Sequence, residues 1–331
     1  MAKNKSDIVS ELNKMMGKDI AFYGDDVDTE EVEVVPTGML PLDWALGAGG
    51  LPKGRIIDLF GLPSAGKSSL CLGIIANAQK NGKKCVYIDA EYCFDSAYAK
   101  KLGVDTSKLM VLRVDCGEEA FEAMDTLIRE KEADIIVVDS ISALVPKSEM
   151  ESEVNKPSIG TQAKLISNGI RRMLANMQKS GTIVIFINQL RMNIMGGQYD
   201  PYITTGGMAL RFYASVRMEV KRVNVVSVGE EQVGYVAAIN IKKNKVGRPG
   251  QKCETTFLFD EGFSAQADII ELGVKSGIVV RTGNSYFYDG NKIGNSIAKA
   301  RDFLKENPEL SDEILEKITS LKSDLQNQTQ Q

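Results

Sequence analysis

The chain has 331 residues, of which 43% are hydrophobic and 25% charged, a composition typical of a soluble globular protein with one large core and a smaller appendage. No apolar run approaches membrane-spanning length and no signal peptide opens the sequence, so we expect no membrane partner. Five scattered cysteines without a Cys-x-x-Cys pair fit a reducing cytoplasm better than a disulfide framework or a zinc site. The sequence has no histidine, which excludes histidine acid–base chemistry and leaves a carboxylate for any general base.

The net charge of −4 is unevenly distributed. Residues 25–33 carry six acidic and no basic residues, whereas residues 161–252 carry 14 Lys and Arg against four acidic residues, a local balance of +10. Such asymmetry is typical of a face that binds a polyanion, although solvated surface or contacts between subunits would give the same composition. Charge alone leaves both interpretations open.

The first predicted element is a short amphipathic helix over residues 6–16, with Ile8, Leu12 and Met15 on one face. A helix this short is not stable alone. We therefore expect it to dock on the core or on a neighbouring subunit, and the acidic stretch after it to be a linker.

Between residues 36 and 262, short apolar runs alternate with helical patterns. We predict strands at 55–60, 85–89, 109–113, 134–138 and 182–187, and helices at about 67–80, 117–131 and 160–179. The apolar runs are continuous, which is typical of strands buried on both faces of a parallel sheet with helical crossovers. Patterns at 213–223 and 235–243 alternate polar and apolar residues and predict antiparallel strands. The predicted fold class is therefore α/β, a mostly parallel twisted sheet with helices on both faces.

Residues 61–68 have the sequence Gly-Leu-Pro-Ser-Ala-Gly-Lys-Ser, the pattern of a phosphate-binding loop, between a predicted strand and a predicted helix. Backbone N–H groups of such a loop and of the helix N-terminus cradle phosphates. Lys67 would reach the β- and γ-phosphates and Ser68 would bind Mg²⁺, so the pattern predicts a site for a nucleoside triphosphate. The alternative is a chance glycine-rich turn, which the strand–loop–helix context disfavours.

Carboxylates follow two of the predicted strands. Asp139 ends the apolar run at 134–138, where such a residue holds the Mg²⁺ shell in phosphate-loop enzymes; capping of the next turn is the alternative. Glu91 follows the strand at 85–89. If that strand neighbours the phosphate loop, the carboxylate lies close to the γ-phosphate and can polarise the attacking water. A surface residue at a strand end is the alternative for Glu91.

Asn188 and Gln189 follow the strand at 182–187, where a neutral amide can hydrogen-bond a γ-phosphate and report its loss. The next segment, 191–207, is long and glycine-rich, and a loop of this length is typical of a functional segment that orders on a partner. The same holds more weakly for 151–160. A phosphate sensor joined to such a loop would couple nucleotide state to partner binding.

The basic cluster from Lys242 to Lys245 ends the last alternating pattern. It is either a solvated strand end that blocks aggregation or an element that contacts phosphates, those of DNA or of the triphosphate on an adjacent subunit. Beyond residue 262 we predict a hairpin over 278–288 and two helices, the second burying a face that includes Leu321, before a disordered polar tail. The predicted domains are residues 1–35, 36–262 and 263–331.

Several stretches, in order, resemble the bacterial-type RecA recombinases, which are ATP-dependent DNA strand-exchange proteins. The most specific lie at 45–52, 137–140, 186–189, 204–207, 212–217 and 243–245. The resemblance runs to about residue 325 and implies a RecA-like phosphate-loop ATPase core. It further implies filaments on single-stranded DNA, ATP hydrolysis with Mg²⁺, and pairing and strand exchange with double-stranded DNA in repair and recombination.

The resemblance also implies roles at the nucleotide. Glu91 would be the general base and Gln189 the coupler between nucleotide and DNA, while Lys243 and Lys245 would reach ATP across the subunit interface. The remaining nucleotide contacts would be Gly61, Ser64, Ala65, Gly66, Lys67, Ser68, Ser69, Asp95, Tyr98 and Asp139, with Asp95 and Tyr98 near the adenine and with Ser68 and Asp139 at the Mg²⁺.

The DNA loops would be about 151–160 and 190–205. The residues that match DNA-contacting positions are Lys164, Ser167, Arg171, Arg191, Met192, Asn193, Ile194, Thr205, Gly206 and Gly207. Phe212 and the N-terminal helix match positions at the subunit interface. Filaments of this family can also promote self-cleavage of a LexA-type repressor in the SOS response, and the sequence leaves open whether this chain does.

Departures from the family pattern indicate a divergent member: Gln198 stands where an aromatic residue is usual, and Met208 and Lys164 replace Asn and Arg. Three other functions share parts of the pattern, namely a ring helicase with the same core, a DNA-bound scaffold whose hydrolysis times release, and a small-molecule kinase. The N-terminal helix and Gly206-Gly207 favour the filament over the ring. The +10 stretch disfavours the kinase.

Overall fold

The computed structural model describes residues 5–26, 32–152, 160–192 and 202–329. The chain forms two compact units, Met1–Glu33 and Val34–Gln331. In the first, helix α1 (Lys5–Met16) is followed by a short 3-10 helix at Gly24–Asp26, and the Asn13 side chain accepts hydrogen bonds from the backbone of the segment after α1. The predicted apolar face of α1 is exposed. The proposed domain boundaries at 35 and 262 stay predictions.

The second unit contains the remaining elements. Its helices are α2 (Leu40–Leu46), α3 (Lys67–Lys80), α4 (Ser96–Lys101), α5 (Gly117–Arg129), α6 (Lys147–Met150), α7 (Thr161–Ser180), α8 (Gly207–Tyr213), α9 (Ala265–Lys275), α10 (Ile297–Glu306) and α11 (Pro308–Thr329). Its strands are β1 (Val34–Val35), β2 (Leu51–Pro52), β3 (Ile56–Gly61), β4 (Cys85–Asp89), β5 (Met110–Leu112), β6 (Ile135–Asp139), β7 (Ile183–Met192), β8 (Tyr202–Thr204), β9 (Val216–Val228), β10 (Glu231–Asn244), β11 (Lys252–Leu258), β12 (Gly262–Phe263), β13 (Val279–Thr282), β14 (Ser285–Tyr288) and β15 (Asn291–Gly294).

Ten of these strands, among the described residues, form the central sheet. Their order is β12-β11-β10-β9-β3-β7-β6-β4-β5, and β8 pairs with β7. Each neighbouring pair in the order β9-β3-β7-β6-β4-β5 is parallel, whereas the pairs β9-β10, β10-β11 and β11-β12 are antiparallel. This arrangement confirms the predicted fold class.

Buried side chains cover both faces of the sheet. Alternate residues of a strand point to opposite faces, so Ile57 packs with α3 in one core cluster and Ile56 packs with α5 and α7 in another. Strand β6 is buried along its whole length. The continuous apolar runs in the sequence follow from this two-sided burial.

Residues 190–192 and 202–216 differ from their prediction. Strand β7 continues to Met192, β8 pairs back on it, and α8 occupies the place where the strand at 213–223 was expected to begin. Gly206 precedes α8 with a φ of 84°. Strand β9 begins only at Val216 and continues to Val228, so the predicted start at residue 213 was wrong, because Tyr213 is the last residue of α8.

The C-terminal part forms a three-stranded sheet, β13-β14-β15, packed with α9, α10 and α11 around a core of its own. The predicted hairpin is confirmed by the pairing of β13 with β14. Two details were wrong: Leu321 is 43% exposed, and α11 continues through Thr329 into the tail expected to be disordered.

Across residues 5–26, 32–152, 160–192 and 202–329, none of the helices combines the length and apolar composition that crossing a membrane requires.

Candidate active site

The sheet brings three strand ends to one edge. Strand β3 lies beside β7 in parallel, with Gly61 opposite Gln189, and β6 lies on the other side of β7. The phosphate loop, Gln189 and Asp139 therefore meet at the carboxyl edge of the sheet, where open α/β sheets bind ligands.

The loop after β3 is closed by Lys67. Its Nζ donates hydrogen bonds to the carbonyl oxygens of Gly61 (3.1 Å) and Leu62 (2.9 Å). Burial lowers the pKa of Lys67, and the carboxylates of Asp139 and Glu91 partly offset that effect. Helix α3 begins at this lysine, so the positive end of its dipole and its free N–H groups point into the same space.

Asp139 is a buried carboxylate held by two hydroxyls. The Ser68 Oγ donates to its Oδ2 at 2.6 Å and the Tyr87 hydroxyl donates to the same oxygen at 2.5 Å. Burial raises the pKa of Asp139, and the two hydrogen bonds lower it. The side chains predicted to bind Mg²⁺ thus lie together, and their oxygens are of the type that this ion prefers.

Glu91 reaches the cleft by a route that differs from the one expected. Its strand, β4, does not neighbour the phosphate-loop strand, because β7 and β6 lie between them. The chain after β4 instead crosses the end of β6, where the Glu91 N–H donates to the Asp139 carbonyl at 3.2 Å. The Glu91 carboxylate then accepts hydrogen bonds from Gln189 Nε2 at 2.9 Å and from the Ser140 hydroxyl.

These groups line one cleft of about 360 Å³. Its walls are residues 63–69, Glu91, Asp139, Ser140, Ile187, Gln189 and Arg222. Sequence reasoning missed Ser140 and Arg222, and it also missed Tyr87 behind Asp139. Ser140 follows Asp139 directly and could have been found from that position, whereas Tyr87 and Arg222 lie within strands and carry no motif.

The two residues predicted near the adenine lie beside this cleft. Asp95 is the N-cap of α4, where its Oδ1 accepts hydrogen bonds from the N–H groups of Ala97 (2.8 Å) and Tyr98 (3.1 Å). The Tyr98 hydroxyl shares a 2.8 Å hydrogen bond with Ser69 Oγ at the start of α3. Asp95 thus positions Tyr98 against the loop.

Lys243 and Lys245 do not line the cleft of their own chain. The Lys243 Nζ donates to the carbonyl oxygens of Arg211 (2.7 Å) and Phe212 (2.9 Å) at the end of α8. Burial lowers the pKa of Lys243, as do the cations of Lys245 and Arg217. Lys245 is exposed.

Asn188 joins the cleft to the Thr-Thr-Gly-Gly segment. Its Nδ2 donates to the Thr205 carbonyl at 3.1 Å, and its Oδ1 accepts from Thr205 Oγ1 at 2.7 Å and from the Gln189 N–H at 2.9 Å. Gln189, which touches Glu91, is therefore one residue from a side chain that holds Thr205.

Three residues predicted to contact DNA, Lys164, Ser167 and Arg171, share one face of α7 by their spacing. Gly207 packs against this helix, because a Cβ placed there would lie 2.9 Å from the Cβ of Ala163. Gly206 packs beside it on Ile166. Helix α7 and the start of α8 thus form one surface.

Arg191 is exposed on β7, where it pairs with Ile203, and the backbone of Met192 pairs with Tyr202. Asn193, Ile194 and Gln198 lie outside the described residues, as do 153–159 of the first predicted DNA loop.

The phosphate loop lies at the carboxyl edge of this sheet, and its Ser68 donates a hydrogen bond to the Asp139 carboxylate. These features define the class of protein: an α/β nucleotide-binding protein with a RecA-like core. A solved structure described as "Crystal structure of the RadB recombinase" shares the fold, with a TM-score of 0.54 at 18% identity over 70% of this chain and 98% of that chain.

Family models and relatives narrow the class further. The RecA N-terminal domain matches residues 3–264 and the RecA C-terminal domain matches residues 267–322. Protein RecA of Bifidobacterium breve is 44% identical over 94% of this chain and 79% of its own length. Protein RecA of Thioalkalivibrio sulfidiphilus is 43% identical over 96% and 92%. The chain belongs to the RecA family, as the resemblance predicted, and is a recombinase of that type.

Proposed function

We propose that the chain is a DNA-dependent ATPase that binds ATP with Mg²⁺ in the cleft at the phosphate loop. The observation that carries this proposal is the meeting of Glu91 and Gln189 at 2.9 Å, in the cleft that Lys67 and Ser68 also line. This hydrogen bond joins Glu91, the candidate base, to Gln189, whose amide can contact a γ-phosphate.

The loop and α3 would bind the phosphates through backbone N–H groups and Lys67. In this role Lys67 would exchange its bonds to the loop carbonyls for bonds to phosphate oxygens. The Ser68 hydroxyl and the Asp139 carboxylate fit Mg²⁺, which would neutralise charge on the phosphate oxygens. Tyr87 keeps Asp139 oriented during this exchange.

Glu91 would accept a proton from the attacking water. Its hydrogen bonds to Gln189 and Ser140 fix the carboxylate at the cleft before substrate enters. When a γ-phosphate arrives, Gln189 Nε2 would turn from Glu91 to a phosphate oxygen, which frees the base for the water.

Lys243 and Lys245 would act on the triphosphate of an adjacent subunit in a helical filament. Two features support this role: neither lysine lines its own cleft, and Lys243 is bonded to Phe212, whose side chain is 66% exposed. A cation beside an exposed aromatic residue suits the surface of a subunit contact. Heterologous contacts of this kind extend into filaments.

Single-stranded DNA would bind along α7 and the start of α8, through Lys164, Ser167, Arg171, Arg191 and Thr205 to Gly207. Because the cationic side chains would contact phosphates, binding would be independent of sequence and weakened by salt. Met192, Asn193 and Ile194 would complete the contact, with Ile194 inserted between bases. The bound single strand would then pair with a second, duplex DNA where the base sequences are complementary. Self-cleavage of a LexA-type repressor on the filament stays a prediction.

A mixed-subunit assay tests the proposal. ATP hydrolysis is measured with and without single-stranded DNA for wild type, Lys67→Ala, Lys243→Ala and an equal mixture of the two variants. Each variant should be inactive, whereas the mixture should recover about a quarter of the wild-type rate, because that fraction of interfaces combines an intact loop with an intact lysine. Lys242→Ala is the matched control, since Lys242 pairs with Glu219 at 3.2 Å.

The same proteins are then given homologous duplex DNA. Homology-dependent joint molecules support strand exchange, and unwinding without pairing would indicate a helicase. Equal rates of ATP hydrolysis with and without DNA, or full activity of Lys67→Ala, would contradict the proposal.

A further inference from the structure

Arg222 contributes an arginine side chain to the wall of the cleft. It lies on β9, and its side chain lines the same cleft as residues 63–69 of the phosphate loop. Strand β9 pairs with β3 as far as Glu219, and Arg222 lies beyond that pairing. No sequence motif marks the position of Arg222.

The ring of Tyr235 supports Arg222. The guanidinium carbon lies 4.1 Å from the centre of that ring, and Tyr235 is itself fixed by stacking on Phe257 at 4.8 Å. Only 2% of Tyr235 is exposed, so the ring is a rigid platform. A guanidinium has five N–H donors, so one that lies over an aromatic ring retains donors for an anion.

The same tyrosine touches the phosphate loop. A Cβ added at Gly66 would collide with the Tyr235 hydroxyl, so the platform stands directly against the last glycine of the loop. Arg222 and the last glycine of the loop therefore both lie against the same tyrosine.

The neighbouring residue shows that this placement is specific. Lys221 pairs with Glu219 at 2.9 Å, whereas no carboxylate among the described residues lies within 4.0 Å of the Arg222 guanidinium. The cleft thus holds an arginine whose charge is not neutralised by an ion pair, beside a loop whose pattern selects polyphosphates.

We propose that Arg222 is a phosphate-binding residue of its own subunit, held by the Tyr235 ring so that it contacts the polyphosphate of a bound nucleoside di- or triphosphate. The inference rests on the proposed function, because it names the ligand of the same cleft. The phosphates would then be contacted by Arg222 from β9, in addition to Lys67 of the loop and to the lysines proposed to act from the adjacent subunit.

Competition against a fluorescent ADP derivative tests this assignment, with ADP, AMP and a non-hydrolysable imido analogue of ATP as competitors. Arg222→Ala should weaken the affinity for ADP and for the ATP analogue by about 10-fold or more, the scale of one charge-assisted hydrogen bond. The affinity for AMP should stay unchanged, and Arg222→Lys should recover part of the loss. Lys221→Ala is the matched control and should bind like wild type.

Tyr235→Phe separates the ring from its hydroxyl. This variant keeps the platform and should bind within about 3-fold of wild type, since cation–π attraction needs only the ring. Equal affinity of Arg222→Ala and Lys221→Ala would overturn the inference, and an equal loss for AMP would overturn the assignment to the phosphates. A wild type that binds no nucleotide, or a Lys67→Ala variant that binds normally, would refute the proposed function itself.

Discussion

Tyr87→Phe tests how the buried carboxylate of the cleft is held. Tyr87 is 2% exposed and its hydroxyl donates to Asp139 at 2.5 Å, so the substitution removes one hydrogen bond and leaves the ring in place. A hydrogen bond to a charged group contributes about 1.5–3 kcal/mol. We expect the free energy of unfolding to fall by that amount where Asp139 is ionised.

The pH dependence of this loss has a definite sign. Burial raises the pKa of Asp139 above its ordinary range, and the Tyr87 bond opposes that rise. Removing the bond raises the pKa further, so the variant loses most stability above that pKa, where the carboxylate is charged. Below it, both proteins carry a neutral acid and the loss should shrink to about 0.5–1.5 kcal/mol, the scale of a neutral hydrogen bond.

Urea unfolding at a series of pH values below and above the pKa of Asp139 measures the effect, with the fluorescence of Trp44, the single tryptophan, as the probe. Tyr98→Phe is the matched control, because it removes a neutral 2.8 Å bond to Ser69 and should show a small loss that does not change with pH. Equal losses for the two variants at every pH, or a Tyr87→Phe loss that grows towards acid, would refute the reasoning.

Three further predictions concern the base, a second buried acid and the DNA surface. Glu91→Gln should lower the rate of ATP hydrolysis about 10²–10⁴-fold with nucleotide affinity retained in a binding assay; a smaller loss would contradict its role as the base. Asp268 is fully buried and its pKa is raised to about 7, so its contribution to stability should fall by up to about 4 kcal/mol as pH rises from 4 to 7. Asp268→Asn should abolish that slope in thermal unfolding, and an unchanged slope would contradict this. Gly207→Ala, at φ 72° and against Ala163, should weaken binding of a labelled single-stranded oligonucleotide, whereas Gly229→Ala, at φ 64° in open space, should not; equal binding by both variants would contradict the role of Gly207.

The local sequence predicts what lies within a few residues of a motif. The phosphate loop, its helix and Asp139 are found in this way, because apolar runs and glycine spacing determine the elements directly. The order of the strands is set by pairings between distant residues, so the sequence left open whether β4 lies beside β3; β7 and β6 lie between them, and Glu91 lines the cleft nonetheless. Tyr87 and Arg222 lie within strands and enter the site only through that order.

The hydrogen bonds around Gln189 give a physical reason for nucleotide and DNA to influence each other. Gln189 bonds Glu91 through its side chain and Asn188 through its N–H, and Asn188 holds Thr205 through two bonds. A γ-phosphate that draws Gln189 away from Glu91 would therefore disturb the support of Thr205 and of the glycines packed on α7. Because coupling between two binding equilibria is reciprocal, DNA bound at the proposed surface would change the affinity for ATP by the same factor by which ATP changes the affinity for DNA. Under the proposed function the two sites would be coupled, and Gln189 would be the residue whose side-chain amide changes partner.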